Sequence, residues 1–165
     1  MTESAFYVLA IDPGPEQSAF AWLDSNLKPV QFDHVINTDL LLMIQNKCSQ
    51  STPVVIEMVA SYGMAVGREV FDTCVWIGRF TQAAVGVGAP VTPLRRIDVK
   101  LNLCHSSQAK DKNVRRALLD RFGTVGTRKN PGWFYGFKSD VWSAYAVGVT
   151  YFDIRNGLYT PHKVV

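Results

Sequence analysis

Residues 6–11 read Phe-Tyr-Val-Leu-Ala-Ile, an unbroken apolar run that stops at Asp12-Pro13-Gly14. A strand with no polar position has no face to turn to water, so this run is expected inside a sheet covered on both sides and closed by a turn. Two further strands follow after short links, at 18–23 and 30–36, with Asn26 near the connecting turn; together they read as a meander paired to the first strand. Thr38 or Asp39 caps a helix running to about Cys48. Pro53 then opens Val54-Val55-Ile56, a buried fourth strand that ends at Glu57. Apolar residues recur at three- and four-residue spacing over 65–85, which predicts a long helix. A fifth strand is expected at 90–94, a short helix at 97–103, and a charged amphipathic helix at 109–122 stopped by Gly123. Residues 124–138 read as a loop, and the last helix spans 139–151 with Ser139 as its N-cap. Phe71, Trp76, Phe80 and Trp142 sit at helical spacing and are expected in the core. The order β-β-β-α-β-α-β-α-α implies an α/β fold with a mixed five-stranded sheet and helices on both faces.

The 165 residues fit one domain, 1–165, large enough to bury a core. No apolar run reaches the roughly 20 residues that span a bilayer. Met1-Thr2-Glu3-Ser4 is not a basic region leading into an apolar stretch, so a cytoplasmic location is expected. Cys48, Cys74 and Cys104 are scattered as reduced thiols would be, and Cys104-His105 lacks the paired spacing of a zinc site. The net charge of +3 conceals an asymmetry. Residues 95–138 carry eleven Lys/Arg against three Asp/Glu, whereas the remainder carries six against eleven. Concentrated positive charge is the footprint of a phosphate-backbone partner, although Lys/Arg runs also form ordinary solvated helix faces.

Three acids stand where elements begin or end. Asp12 closes the first strand, Glu57 closes the fourth, and Asp140 opens the last helix. If the two strands are parallel neighbours, Asp12 and Glu57 emerge at one edge, at the carboxyl ends where open α/β sheets bind ligands. Three carboxylates converging there make a hard oxygen site suited to Mg²⁺, with Mn²⁺ able to substitute. Asp-Pro-Gly is also ordinary turn composition, and an acid at a helix start also serves the helix dipole. Glu57 is harder to explain away, because Val-Val-Ile precedes it and Met-Val-Ala follows.

The Ile-Asp-Pro-Gly after an opening strand, the Val-Ile-Glu ending the fourth strand and the acid-bearing terminal helix resemble the RuvC-type Holliday-junction resolvases of the RNase H-like superfamily. The resemblance is nearest to the bacteriophage branch and extends to Asp98-Val-Lys-Leu and to Gln108-Ala-Lys-Asp-Lys-Asn-Val. It implies a symmetric homodimer that hydrolyses two strands of a four-way DNA junction, with Asp12, Glu57 and Asp140 as metal ligands. It also implies that Lys110 or Lys112 contacts the scissile phosphate, where a lysine would neutralise developing charge. One position departs from the family, whose last helix carries two acids at i and i+3. Asp140 matches the first, and Ser143, a neutral and weaker ligand, occupies the second. Asp98 and Asp111 are candidate substitutes.

Arg115 and Arg116 follow on the same helix as Lys112, and Arg95, Arg96 and Lys100 widen the expected DNA footprint. Tyr62 and Met64 follow the Glu57 strand and could wedge between bases at a branch point, or simply pack on the core. Trp133-Phe134-Tyr135 lies between glycines; three adjacent aromatics cannot all face one core, so at least one is expected at the surface. Apolar residues nearly all round the 65–85 helix suit a subunit interface and suit plain burial equally. The competing readings are an RNase H-like nuclease acting on another substrate, such as an RNA–DNA hybrid, and a non-catalytic branched-DNA-binding module. A sugar-kinase/actin-type nucleotide binder is disfavoured, because the chain is too short for its two domains.

Overall fold

The computed structural model describes residues 6–162. Five strands, β1 (Phe6–Asp12), β2 (Gln17–Asp24), β3 (Pro29–Ile36), β4 (Val54–Met58) and β5 (Val91–Arg95), form one sheet in the order β3-β2-β1-β4-β5. β2 runs antiparallel to both β1 and β3, whereas β4 runs parallel to β1 and β5. The helices are α1 (Asn37–Lys47), α2 (Arg68–Gly86), α3 (Arg96–Cys104), α4 (Asp111–Phe122) and α5 (Val141–Arg155). The mixed five-stranded sheet and its helical cover match the architecture expected from the sequence.

β1 is central because its side chains serve two cores. Leu9 and Ile11 join Phe20, Trp22, Val54 and Ile56 under α1 and α2. Val8 and Ala10 join Ala19, Ala21, Leu23 and Val55 under α3, α4 and α5. Alternate residues of a strand point to opposite faces, so a strand buried on both sides needs apolar residues throughout.

α5 is the helix pressed most closely on the sheet, and eleven of its residues are buried. Small residues permit the approach. A Cβ added to Gly148 would lie 3.1 Å from Ala10 Cβ and 3.0 Å from Leu23 Cδ1. The helix end is fixed by an aromatic cluster in which Phe134 and Phe137 pack on Trp142 and Tyr145. Tyr145 donates its hydroxyl hydrogen to the Leu27 carbonyl (2.8 Å) and accepts from Trp133 Nε1 (3.0 Å).

Four expectations are corrected. Neither Thr38 nor Asp39 caps α1: both lie inside the helix, and the residue at its N-cap is Ile36. Ser139 is not the cap of the last helix: it takes a left-handed conformation (φ 42°), and Asp140 is the residue before Val141. The chain turns sharply there to seat buried Phe137 and Val141 on either side. Phe71 is not a core residue but is 61% exposed. α2 begins at Arg68 rather than residue 65 and buries only Thr73, Ile77, Phe80 and Ala84, with Trp76 and Ala83 partly covered and Phe71, Val75 and Val85 exposed. No helix among the described residues is long and apolar enough to cross a membrane.

The close α5 contact gives a direct test. Gly148→Val is expected to lower the unfolding free energy by about 1–3 kcal/mol through overpacking, read as a reduced urea midpoint at unchanged m-value.

Candidate functional site

Asp12 ends β1 in the turn Asp12-Pro13-Gly14, and that turn is tightly held. A Cβ on Gly14 would stand 2.3 Å from the Gln17 carbonyl oxygen, so only glycine fits. The Gly14 N–H donates to Ser18 Oγ (3.1 Å), Ser18 donates to Asn37 Oδ1 (2.6 Å), and Asn37 Nδ2 donates back to the Gly14 carbonyl (2.9 Å). Ser18 and Asn37 are buried, so the ring of bonds is shielded from water and ties the Asp12 turn to β2 and α1. The sequence carries no mark of this role beyond two polar residues at element starts.

The strand register brings the acids together. Leu9, Ala10 and Ile11 lie opposite Val54, Val55 and Ile56. One further step puts Asp12 beside Glu57, and alternation turns both toward α5. The same row continues across the other strands, with Asp12 opposite Ala19 and Ala19 opposite His34. Asp140, at the start of α5, stands over this row, its Oδ2 3.9 Å from His34 Nε2. His34 was not singled out from the sequence. The meander held the signal, because a three-strand register places it on the carboxylate row.

Burial pushes the Asp12 carboxyl up to about 8, reinforced by the negative charges of Glu57 and Asp140 and opposed by Arg96. Burial also raises Glu57, while Arg96 holds it down. The two acids differ in their partners. Glu57 accepts from Arg96 Nη1 at both oxygens, 3.2 and 3.4 Å. The Asp12 side chain has no hydrogen bond or ion pair among the described residues.

Beside the acids opens a cleft of about 380 Å³. Glu57, Asp140 and Ser143 face it, and Arg96, Lys100, Lys112 and Arg115 supply cationic wall. Asp111 lines it too and pairs with Arg96 Nη2. Arg115 lies over the Trp142 ring, 4.6 Å from its centre. Other residues marked from sequence fall elsewhere. Lys110 is the exposed residue preceding α4, outside the cleft lining. Arg95 bonds Asp98 (2.9 Å) and the His162 carbonyl (2.8 Å). Asp98 is buried on Arg95 and Tyr159, away from the cleft. Arg116 pairs with Asp120 on the helix surface. Tyr62 and Met64 are 67% and 75% exposed in the segment after β4. In the aromatic triplet Phe134 is fully buried, Trp133 stacks on Phe122, and Tyr135 is the exposed member.

The donor set fits a hard divalent ion in kind: neighbouring negative charge raises the proton affinity of Asp12 and of Glu57, and such an ion would relieve it. As the side chains stand, no three His, Cys, Asp or Glu among the described residues are grouped closely enough to hold one. Glu57 instead has both oxygens on Arg96.

The strand order, the two layers of helices and the acids at the sheet edge define an RNase H-like fold, and comparison with solved structures agrees. Thermus thermophilus RuvC aligns over 94% of this chain and 99% of its own, with a TM-score of 0.68 and 17% identity. The same protein in complex with a Holliday junction substrate aligns over 95% and 99%, with a TM-score of 0.64 and 18% identity. No family model and no curated protein sequence matches the chain.

The raised Asp12 carboxyl predicts a pH signature. In the metal-free fold it keeps a proton that the unfolded chain gives up near pH 4, so its stabilising contribution is complete below that pH and is lost as pH rises through about 8. Thermal unfolding in EDTA should therefore show Asp12→Asn gaining stability relative to the unchanged chain between pH 5 and 8.5. A constant difference across that range would refute the assignment.

Proposed function

We propose that this chain is a metal-dependent endonuclease that resolves four-way DNA junctions. The observation that carries the reading is the juxtaposition of Asp12, Glu57 and Asp140 with a cleft walled by Lys100, Lys112 and Arg115, on the fold of RuvC. The fold neighbour solved in complex with a Holliday junction substrate supports the choice of DNA over other phosphodiesters.

Asp12, Glu57 and Asp140 are the residues that would hold Mg²⁺ or Mn²⁺, with Ser143 contributing at most a neutral oxygen. A divalent ion bound there supplies an activated water and relief for the leaving oxygen of a phosphodiester. The chain's own groups do the rest. Lys112 lines the cleft at the start of α4 and stabilises charge on the phosphoryl oxygens. Lys100 and Arg115 hold flanking phosphates and fix the register of the strand. Tyr62 and Met64 are exposed on the segment after the Glu57 strand, and that exposure supports entry into a branch point between bases.

Paired cuts need two sites, and α2 offers a surface for a second copy. Phe71, Val75 and Val85 are exposed along it at helical spacing, with Cys74 and Gly78 between them. An exposed apolar strip of this kind, interrupted at Gln82, suits an interaction surface, and a twofold axis through it would pair two clefts. Phe71→Glu should convert a dimer to a monomer in sedimentation velocity while leaving the circular dichroism spectrum unchanged. A monomer in both proteins would remove α2 as the interface.

The deciding assay uses a synthetic four-way junction, a linear duplex and an RNA–DNA hybrid, each with and without Mg²⁺. Symmetric paired nicks in the junction alone, abolished by EDTA and by Asp12→Asn, are expected. Cleavage confined to the hybrid would point to another nuclease of this fold. Ser143 favours a second reading, a module that binds branched DNA without cutting it. Tight metal-independent junction binding without nicks would support that reading, and Ser143→Asp would then show whether the missing fourth acid is the cause.

A further inference from the structure

We propose that Arg96 is a resident cation that occupies Glu57 until a divalent ion takes that carboxylate, and that the released guanidinium then binds a DNA phosphate, linking metal loading to junction binding through one side chain. The inference rests on reading the cleft as a metal nuclease and adds a device to it.

The contacts carry the argument. Arg96 Nη1 lies 3.2 and 3.4 Å from the two oxygens of Glu57, and Nη2 pairs with Asp111. One planar fork thus joins an acid from the sheet to an acid at the start of α4. A guanidinium on both Glu57 oxygens cancels the charge that would attract an ion and covers the lone pairs that would ligate it. With Glu57 turned to Arg96, no three His, Cys, Asp or Glu among the described residues are grouped to hold an ion. Its root is fixed: Arg95 bonds Asp98 at 2.9 Å, and Tyr159 bonds Asp98 at 2.9 Å, pinning the first turn of α3. Only the Arg96 side chain need move. That side chain is one-third exposed and lines the cleft, so it has room to leave.

Charge decides where it goes. Asp12, Glu57 and Asp140 favour a double positive charge over a single one, and a bound ion repels the displaced guanidinium. Asp111 keeps the Nη2 edge of the fork, and the rest of the wall is cationic, so the anion that receives the edge freed from Glu57 is a phosphate oxygen. Coupling of this kind is reciprocal: phosphate that draws Arg96 away opens Glu57, and metal on Glu57 frees Arg96 for phosphate.

The test uses the full chain. Mn²⁺ binding is followed by electron paramagnetic resonance for the unchanged protein, Arg96→Gln, Arg96→Lys and Lys100→Gln; the last removes an equal charge from the same cleft. Arg96→Gln should bind Mn²⁺ about tenfold more tightly or better. Arg96→Lys, which keeps the charge but not the fork, should fall between. Lys100→Gln should change affinity by no more than about twofold, since a solvated charge is screened. Junction binding is then measured by fluorescence anisotropy with and without Ca²⁺. Ca²⁺ should tighten binding by the unchanged protein and lose most of that effect in Arg96→Gln. Equal Mn²⁺ affinities for Arg96→Gln and Lys100→Gln, or a Ca²⁺ effect that survives Arg96→Gln, would overturn the proposal. If Mn²⁺ binds the unchanged protein but not Asp12→Asn, that failure is separate from the metal-nuclease reading. If no variant binds Mn²⁺, both fall. Thermal unfolding of each variant reports folding, and Arg96→Lys keeps the test open should Arg96→Gln fold poorly.

Discussion

The pairing of β1 with β4, in which Ile11 lies opposite Ile56, sets the geometry of the cleft. Parallel strands about 4.8 Å apart bring the next residues, Asp12 and Glu57, side by side on one face. A slip of one residue would turn one acid toward α1 and α2, into the second core. Register is fixed by both faces at once, because Leu9 and Ile11 are buried under one helical layer and Val8 and Ala10 under the other. The cost of that precision is repulsion. Two like charges ~4 Å apart at an effective dielectric near 20 oppose each other by about 4 kcal/mol. The fold answers it in two ways: burial and the neighbouring charges favour a proton on Asp12, and a guanidinium sits on Glu57.

Those two answers are unequal, which gives the site a direction. A proton on Asp12 is in acid–base equilibrium with solvent and can leave without any rearrangement of the side chain. The Arg96 fork is a geometric lock that must be moved. Asp140 is held in neither way and stands at the rim, in reach of His34. The acid nearest the sheet centre is therefore half-buried with no hydrogen bond or ion pair among the described residues, and the outer two face the cleft.

Much of this could be read from the chain before the structure. The apolar run ending in Asp12 announced a central strand, and Val-Val-Ile ending in Glu57 announced its parallel neighbour, because continuous apolar runs report burial on both faces. Charge clustering marked the basic segment. What could not be read depends on side-chain choice among similar residues. Nothing local distinguishes Arg95, pinned to Asp98, from Arg96, turned into the cleft; the difference is that the start of the helix falls between them, so one has extended and the other helical backbone. Lys110 and Lys112 differ for the same reason. Phe71 misled because α2 is apolar nearly all round, and periodicity cannot say which side meets the sheet. The Ser18–Asn37 lock was invisible, since its partners lie 19 and 23 residues apart in sequence.

The cleft wall behaves as one body because its three helices share a buried node. Asp153 on α5 accepts from Arg121 of α4 at both oxygens, 2.7 and 2.8 Å, and from Asn102 of α3 at 2.8 Å. Asp153 is 2% exposed, a depth at which removal of its partner leaves a charge that costs about 3–5 kcal/mol. Arg96, Lys112 with Arg115, and Asp140 with Ser143 are carried by these same three helices. A displacement of α4 on binding a phosphate must therefore be shared by α3 and α5 or else break the node. The cationic wall and the start of α5 keep their spacing, and motion is left to the side chains that face the cleft. That division makes a single arginine a sufficient moving part: the backbone holds the acids and the cations at fixed separation, and Arg96 is the cation whose side chain already bridges the two sets.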